Sequence, residues 1–154
     1  MADFGHVKRY TKIMNGQECN FRSTFEYHWA EYTQLRMDNG EIENWWYEDP
    51  DSFCDIEIGE GFHVRKKVYR PDFTIQYAGG HIEFEETKGY FPSKDYTKMR
   101  AYVDQYDTPL TLIFNKPPYG AQRRRADRLA KHIDKVIWEA GKDILKPIEH
   151  LFDV

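Results

Sequence analysis

The 154-residue sequence has little cysteine, no long apolar run and no overall excess of basic residues. Its two cysteines, Cys19 and Cys54, form no Cys-x-x-Cys pair, which argues against a zinc knuckle and against a disulfide framework. No apolar run approaches the length of a bilayer span, and the N-terminal stretch lacks the apolar segment of a secretory signal. We therefore expect a soluble, intracellular protein of the cytoplasm with no membrane partner.

The charge of the chain is unevenly distributed. The net charge is −4, and residues 1–60 hold 5 Lys/Arg and 13 Asp/Glu, whereas residues 61–154 hold 17 and 13. The first segment therefore carries −8 and the second +4. An acidic net charge argues weakly against a nucleic-acid partner, but this asymmetry is compatible with a basic face on an acidic protein.

The pattern of apolar residues and turn signals predicts a single α/β domain over residues 1–154. Predicted helices cover 23–37, 93–106 and 121–140. Predicted strands cover 42–47, 62–69, 73–77, 81–88 and 109–114, with an acidic loop at 48–61. We expect a loose N-terminal arm (1–20), a core (21–115) and a helical C-terminal extension with a basic face (116–154), built on a mixed central sheet with helices on both faces.

One segment, RPDFTIQYAGGHIEFEETKGY at residues 70–90, predicts a β-hairpin around its Ala-Gly-Gly turn. Asp72 lies at the start of the first strand, and Glu86 and Lys88 lie at the end of the second. Residues i and i+2 of a strand share a face. Glu86 and Lys88 therefore point to one side and Glu85 to the other.

The register of this hairpin decides whether Asp72 can meet Glu86. A three-residue turn pairs Tyr77 with His81 and sets Asp72 opposite Glu86, whereas a two-residue turn sets Asp72 opposite Thr87 on the other face. The hydrophobic alternation favours the two-residue turn. Because helices on both faces allow either side to be apolar, paired carboxylate chemistry favours the three-residue turn or a bulge.

Two carboxylates and a lysine at this spacing indicate a hard, oxygen-rich site suited to Mg²⁺, with Mn²⁺ as a substitute. The carbonyl of Thr87 is a further candidate ligand. A metal-bound water can act as the nucleophile, and Lys88 can orient or deprotonate that water or offset charge on a phosphate. The pattern favours phosphodiester hydrolysis. The alternative is a surface hairpin with exposed ion pairs of little energetic value.

Pro71-Asp72 and Glu86-Thr87-Lys88 match the motif of the PD-(D/E)XK nuclease superfamily, which the chain resembles over roughly residues 21–115. The resemblance implies a restriction-endonuclease-like αβββαβ core and a Mg²⁺-dependent endodeoxyribonuclease. Within the superfamily, the chain is similar to phage endonuclease I, a Holliday-junction-resolving family, and to TnsA-like nuclease domains.

The likeness to the endonuclease I family rests on Phe21-Arg22-Ser23 followed by Glu26, and on Tyr-x-Pro-Asp-Phe ahead of Glu-Thr-Lys-Gly. It implies that Glu26 binds a second metal ion directly or through water. It also implies a preference for branched DNA and, because one site cuts one strand, a possible homodimer. The spacing from Ser23 to Glu26 equally predicts a helix capping box, so both roles remain open for Glu26.

Residues 116–135 carry a net charge of +5. A solvated helix face and a DNA-backbone contact are both compatible with this charge. The candidate DNA-binding residues are Lys98, Arg123, Arg124, Arg125, Arg128, Lys131 and Lys135. Trp45, Trp46 and Tyr47 are either core residues or a base-stacking edge.

Two other functions remain compatible with the sequence. One is a non-catalytic DNA-binding module of the same fold. The other is a viral interaction protein that acts on host machinery, with its acidic first segment mimicking nucleic acid.

Overall fold

The computed structural model describes residues 9–152. The strands are β1 (Tyr10–Met14), β2 (Gln17–Phe21), β3 (Asn44–Tyr47), β4 (Cys54–Ile58), β5 (Arg65–Tyr69), β6 (Phe73–Gln76), β7 (Ile82–Lys88), β8 (Leu110–Phe114) and β9 (Lys135–Ile137). The longer helices are α1 (Thr24–Asp38), α2 (Ser93–Gln105) and α3 (Gly120–Ala130). Short helical turns cover Gly141–Leu145 and Lys146–Leu151.

A five-stranded mixed sheet in the order β3-β6-β7-β8-β9 forms the centre. Strands β3, β6 and β7 are antiparallel, whereas β7, β8 and β9 are parallel. Helix α1 packs on one face, where Trp29 and Phe73 are buried, and helices α2 and α3 pack on the other, with Met99 and Leu129. The prediction of an α/β protein with a mixed sheet and helices on both faces is confirmed.

The predicted strands 42–47 and 62–69 belong to different sheets. Strand β3 pairs with β6 in the central sheet, whereas β5 pairs with β4 in a separate two-stranded ribbon. The predicted acidic loop 48–61 therefore contains a strand. Ile56 of β4 is buried against α2, and Gln105 binds both backbone groups of Glu57, so tertiary contacts with α2 stabilise an otherwise acidic strand.

The prediction of a loose arm at 1–20 is wrong for residues 10–20; residues 1–8 lie outside the described part. Strands β1 and β2 form a hairpin whose turn, Asn15-Gly16, has positive φ at both positions. This is the backbone that Asn-Gly favours in two-residue hairpins. Cys19 and Phe21 alternate inward into the core beside α1.

The predicted helix 121–140 is too long, and the predicted helical extension 116–154 contains a sheet strand. Helix α3 ends at Ala130, and β9 pairs in parallel with β8. Val136 and Ile137 are β-branched residues that fit a pleated sheet edge, and Asp134 accepts a hydrogen bond from the Leu110 backbone N–H at 3.2 Å. Sheet pairing therefore overrides the helical periodicity, and Lys135 lies in β9 rather than in the predicted helix.

The face of β7 that contacts α1 carries a buried ion pair. Both carboxylate oxygens of Glu85 accept from the Arg36 guanidinium, at 2.8 and 2.9 Å. The indole N–H of Trp29 donates to the same carboxylate at 2.8 Å. Glu85 therefore links β7 to α1 and has a structural role, in agreement with the prediction that it points to the face opposite Glu86.

Replacing Glu85 with Gln should destabilise the protein strongly. The substitution leaves the buried Arg36 charge without its partner, which typically costs about 3–5 kcal/mol. Urea denaturation should show the loss as a lower midpoint. The double variant Arg36→Met/Glu85→Leu should lose less stability than Arg36→Met and Glu85→Leu together, because it leaves no unpaired buried charge. An unchanged urea midpoint for Glu85→Gln would contradict the assignment of Glu85 to a buried ion pair.

Candidate active site at the end of the central hairpin

The central hairpin adopts the three-residue turn. The Tyr77 N–H donates to the His81 carbonyl at 2.8 Å, and the ladder continues with Phe73 opposite Glu85. The same register sets Asp72 opposite Glu86, as the carboxylate chemistry predicted. The apolar residues of the two strands accordingly divide between the two faces of the sheet: Phe73 and Ile75 contact the α1 side, and Ile82 and Phe84 contact the α2 side.

Asp72 and Glu86 form a buried carboxylate pair, only 3% and 5% exposed. One oxygen of Asp72 accepts from both the backbone N–H and the hydroxyl of Thr87, at 2.9 and 3.0 Å. Glu86 accepts from the Tyr69 hydroxyl at 2.8 Å, and its second oxygen lies 3.5 Å from Nζ of Lys88. Thr87, Tyr69 and Lys88 thus act as donors to the pair, and a hydrogen bond between the two carboxyl groups themselves also lowers the pKa of Glu86.

The environment of this pair disfavours two negative charges. Burial raises the pKa of Asp72 well above its usual range, and the charges of Glu86 and Glu26 raise it further. Burial also raises the pKa of Glu86, although Lys88 and the Tyr69 hydrogen bond oppose that rise. Two close carboxylates titrate as a unit. The pair therefore favours either a shared proton or a bound cation.

Lys88 is held as a cation. Burial alone would lower its pKa, but the carboxylate of Glu86 and a 2.9 Å hydrogen bond to Asp95 raise the pKa above its ordinary value. A lysine whose pKa is raised in this way is better suited to binding an anionic oxygen than to accepting a proton. Of the roles predicted for Lys88, this environment supports charge stabilisation over deprotonation of water.

Glu26 forms half of the predicted capping box and also borders the carboxylate pair. Its backbone N–H donates to the Ser23 hydroxyl at 3.1 Å. Its side chain accepts from the Arg22 backbone N–H at 2.8 Å and from the Tyr47 hydroxyl at 2.5 Å. In a capping box, the glutamate side chain accepts from the backbone N–H of the N-cap residue, which is Ser23 here. Glu26 instead accepts from the N–H of Arg22, one residue earlier. Its role at the helix end is therefore compatible with a role in the pocket.

Arg22 bridges the acidic groups. One terminal nitrogen lies 3.0 Å from Asp72, 3.3 Å from Glu26 and 3.7 Å from Glu48. Although this side chain is 54% exposed, the negative charges of Glu26 and Asp72 outweigh the effect of burial and raise its pKa. A cation thus already lies between two of the predicted metal ligands.

A cavity of about 360 Å³ brings the predicted site residues together. Its lining includes Glu26, Asp72, Glu86, Thr87, Lys88 and Lys98. The further lining residues, which were not predicted for the site, include the charged or hydroxyl-bearing side chains of Arg22, Tyr69, Arg70 and Asp95. Tyr69 could have been found from the motif, because it lies two residues before Pro71. Arg22 lies between β2 and α1, and Asp95 lies in α2, so neither residue belongs to the hairpin that carries the predicted site.

The donor set of the cavity fits Mg²⁺ in its chemistry. No group of three His, Cys, Asp or Glu residues within 9–152 is arranged as a ready-made metal cluster. The pair Asp72 and Glu86, with the carbonyl of Thr87, nevertheless offers only oxygen ligands, and Mg²⁺ usually takes one or two carboxylates and keeps several waters. The raised pKa values of the pair supply a reason to bind a cation.

The predicted DNA-binding residues of α3 and β9 do not line this cavity. Arg123 pairs with Asp127 at 3.1 Å and stacks on Trp138. Arg125 donates to the Phe91 carbonyl, and Arg128 lies over the ring of Tyr96. The three cations Arg124, Lys131 and Lys135 are exposed.

The aromatic segment of β3 is mainly core. Trp45 and Tyr47 are buried, whereas Trp46 is partly buried. The core interpretation is therefore confirmed for Trp45 and Tyr47.

No family model, curated protein or solved structure matches the chain. No helix within the described residues is long and apolar enough to span a bilayer.

Replacing Asp72 with Asn should stabilise the metal-free protein. A carboxyl group whose pKa is raised on folding lowers the free energy of unfolding at pH values above its pKa in the unfolded chain. Replacing it with an uncharged amide should therefore raise the free energy of unfolding at neutral pH by about 1 kcal/mol. Urea denaturation at pH 7 in EDTA measures this gain. Asp51→Asn, at an exposed acid, is the matched control and should change little. A loss of stability for Asp72→Asn would contradict the electrostatic account.

Proposed function

We propose that the protein is a metal-dependent DNA endonuclease with a restriction-endonuclease-like αβββαβ core, of the PD-(D/E)XK type. The observation that supports this most is the meeting of Asp72, Glu86 and Lys88 in one cavity, through a register that the hydrophobic pattern alone disfavours. A structural ion-pair network would not require two carboxylates buried side by side.

In this proposal, Asp72, Glu86 and the Thr87 carbonyl would hold Mg²⁺ or Mn²⁺, and Glu26 would hold a second ion directly or through water. Such an ion would supply an acidified water and polarise the phosphate. Tyr69 fixes the orientation of Glu86, and both donors of Thr87 fix that of Asp72.

Lys88 donates from Nζ to a non-bridging oxygen of the scissile phosphate and stabilises the charge that develops there. Asp95 and Glu86 hold the ammonium in place. A water oxygen bonds to phosphorus while the bond from phosphorus to the 3′ oxygen breaks. The water gives up a proton to solvent and the departing 3′ oxygen takes one up from solvent, which leaves a 5′-phosphate and a 3′-hydroxyl. A single cavity cuts one strand, so cleavage of both strands or of a junction would require a homodimer.

Arg22 has to leave Asp72 when the metal binds, because its guanidinium contacts an oxygen of the ligand pair. Its exposed side chain makes that movement feasible. Once released, the guanidinium is placed to contact a phosphate beside the scissile bond.

The direct test is DNA cleavage by the purified protein. Supercoiled plasmid and branched DNA should be cut in Mg²⁺ or Mn²⁺ and left intact in EDTA. Asp72→Asn and Lys88→Ala should each lower the cleavage rate by about 10²-fold or more, since each removes a charged group acting on the reacting phosphate.

The matched controls are Asp51→Asn and Lys66→Ala, which remove exposed charges outside the cavity. Both should cut at the wild-type rate. If the wild-type protein leaves every DNA intact in both ions, the nuclease proposal is wrong. If Asp72→Asn cuts normally, the hairpin is not the active site.

A further inference from the structure

A basic groove adjoins the carboxylate cavity. It has a volume of about 300 Å³, and its cationic lining is Arg65 and Lys67 from β5 with Lys94 and Lys98 from α2. Lys98 lines the carboxylate cavity as well. The groove and the cavity are therefore adjacent, with Lys98 between them.

The secondary structure explains why these cations converge. Arg65, Lys67 and Tyr69 alternate along β5 and so share one face, and Tyr69 is the residue that binds Glu86. The ladder pairs Lys67 with the buried Ile56, which shows that this face is directed toward α2. Strand β5 therefore leads from the groove to the buried carboxylate pair.

Helix α2 supplies the opposite side of the groove. Lys94 and Lys98 are four residues apart and share one helix face. The acid between them, Asp95, is engaged by Lys88 inside the carboxylate cavity. The lysines are therefore not neutralised by their own helix.

No carboxylate lies within ion-pair distance of these four cations in the described part of the chain. On α3, by contrast, Arg123, Arg125 and Arg128 are engaged by side chains or carbonyls of the protein itself. Four like charges in one groove repel one another and gain no structural partner, so their position is best explained by an external polyanion.

We propose that this groove, rather than the exposed cations Arg124 and Lys131 of the α3 region, binds the sugar–phosphate backbone of DNA and directs the strand into the carboxylate cavity. The identity of the ligand rests on the proposed nuclease function. Contacts from lysine and arginine alone would position the strand without reading its sequence.

The test compares two charge-matched variants in DNA binding. Lys67→Ala/Lys94→Ala removes two groove cations outside the catalytic cavity, and Arg124→Ala/Lys131→Ala removes two exposed cations of the α3 region. Fluorescence anisotropy with a short labelled DNA duplex, in EDTA to prevent cleavage, gives Kd over a series of salt concentrations. Thermal unfolding of each variant verifies that it is folded.

The groove variant should bind about 60-fold more weakly near 0.1 M salt, and its slope of log K against log salt should be flatter by about 1.8, from about 0.9 per lost phosphate contact. The α3 variant should change much less. Wild-type binding by the groove variant would overturn the proposal. Equal loss in both variants would also overturn it, because net charge alone would then explain the effect.

Cleavage assays on the same variants separate this inference from the proposed function. If the groove variant loses DNA binding but the wild-type protein cuts no DNA, the groove stands and the nuclease proposal falls. If the wild-type protein cuts DNA and the groove variant binds and cuts normally, the nuclease proposal stands and the groove falls.

Discussion

The burial of Asp72 beside Glu86 is the constraint on which the rest of the site depends. Two carboxylates removed from water repel each other and each loses hydration, so a fold can hold them together only by surrounding them with donors and cations. Thr87 and Tyr69 supply donors, and Arg22 and Lys88 supply charge. The fold thus maintains an arrangement that weakens it and that a metal ion would stabilise.

Strand β7 contains two neighbouring glutamates with different roles. Glu85 and Glu86 are adjacent and both buried, but they point to opposite faces of the sheet. Glu85 meets a bidentate arginine, whose positive charge balances its own, and accepts a further hydrogen bond from an indole N–H. Glu86 meets a hydroxyl and a more distant ammonium, beside another carboxylate. The first environment is typical of a structural ion pair, and the second of a cation site.

Much of the site could be predicted from sequence because Asp72, Glu86 and Lys88 lie close together in the chain, on the two strands of one hairpin. The parity of β7 separates Glu85 from Glu86, and the requirement that Asp72 meet Glu86 selects the correct turn against the hydrophobic alternation. The hydrophobic alternation favoured the wrong turn because helices cover both faces of the sheet, so each strand can place apolar residues on either side.

The failures come from tertiary contacts that no local pattern encodes. The segment after Ala130 keeps a helical period but becomes β9, since pairing with β8 outweighs its propensity. Arg22 lies fifty residues from Asp72 and meets it only in the folded protein, where the junction between β2 and α1 lies beside the end of the hairpin. The hairpin of β1 and β2, by contrast, was predictable from sequence, because its Asn-Gly pair is typical of a two-residue turn and Cys19 and Phe21 alternate with polar residues.

The central claim is that a divalent ion binds between Asp72 and Glu86. Crystals of the protein soaked in Mn²⁺ and measured near the manganese absorption edge test it most directly. The account predicts an anomalous peak in contact with oxygens of both carboxylates, with the Arg22 guanidinium moved away from Asp72. Absence of a peak at this position at high Mn²⁺ concentration, with Arg22 still bridging Asp72 and Glu26, would contradict it.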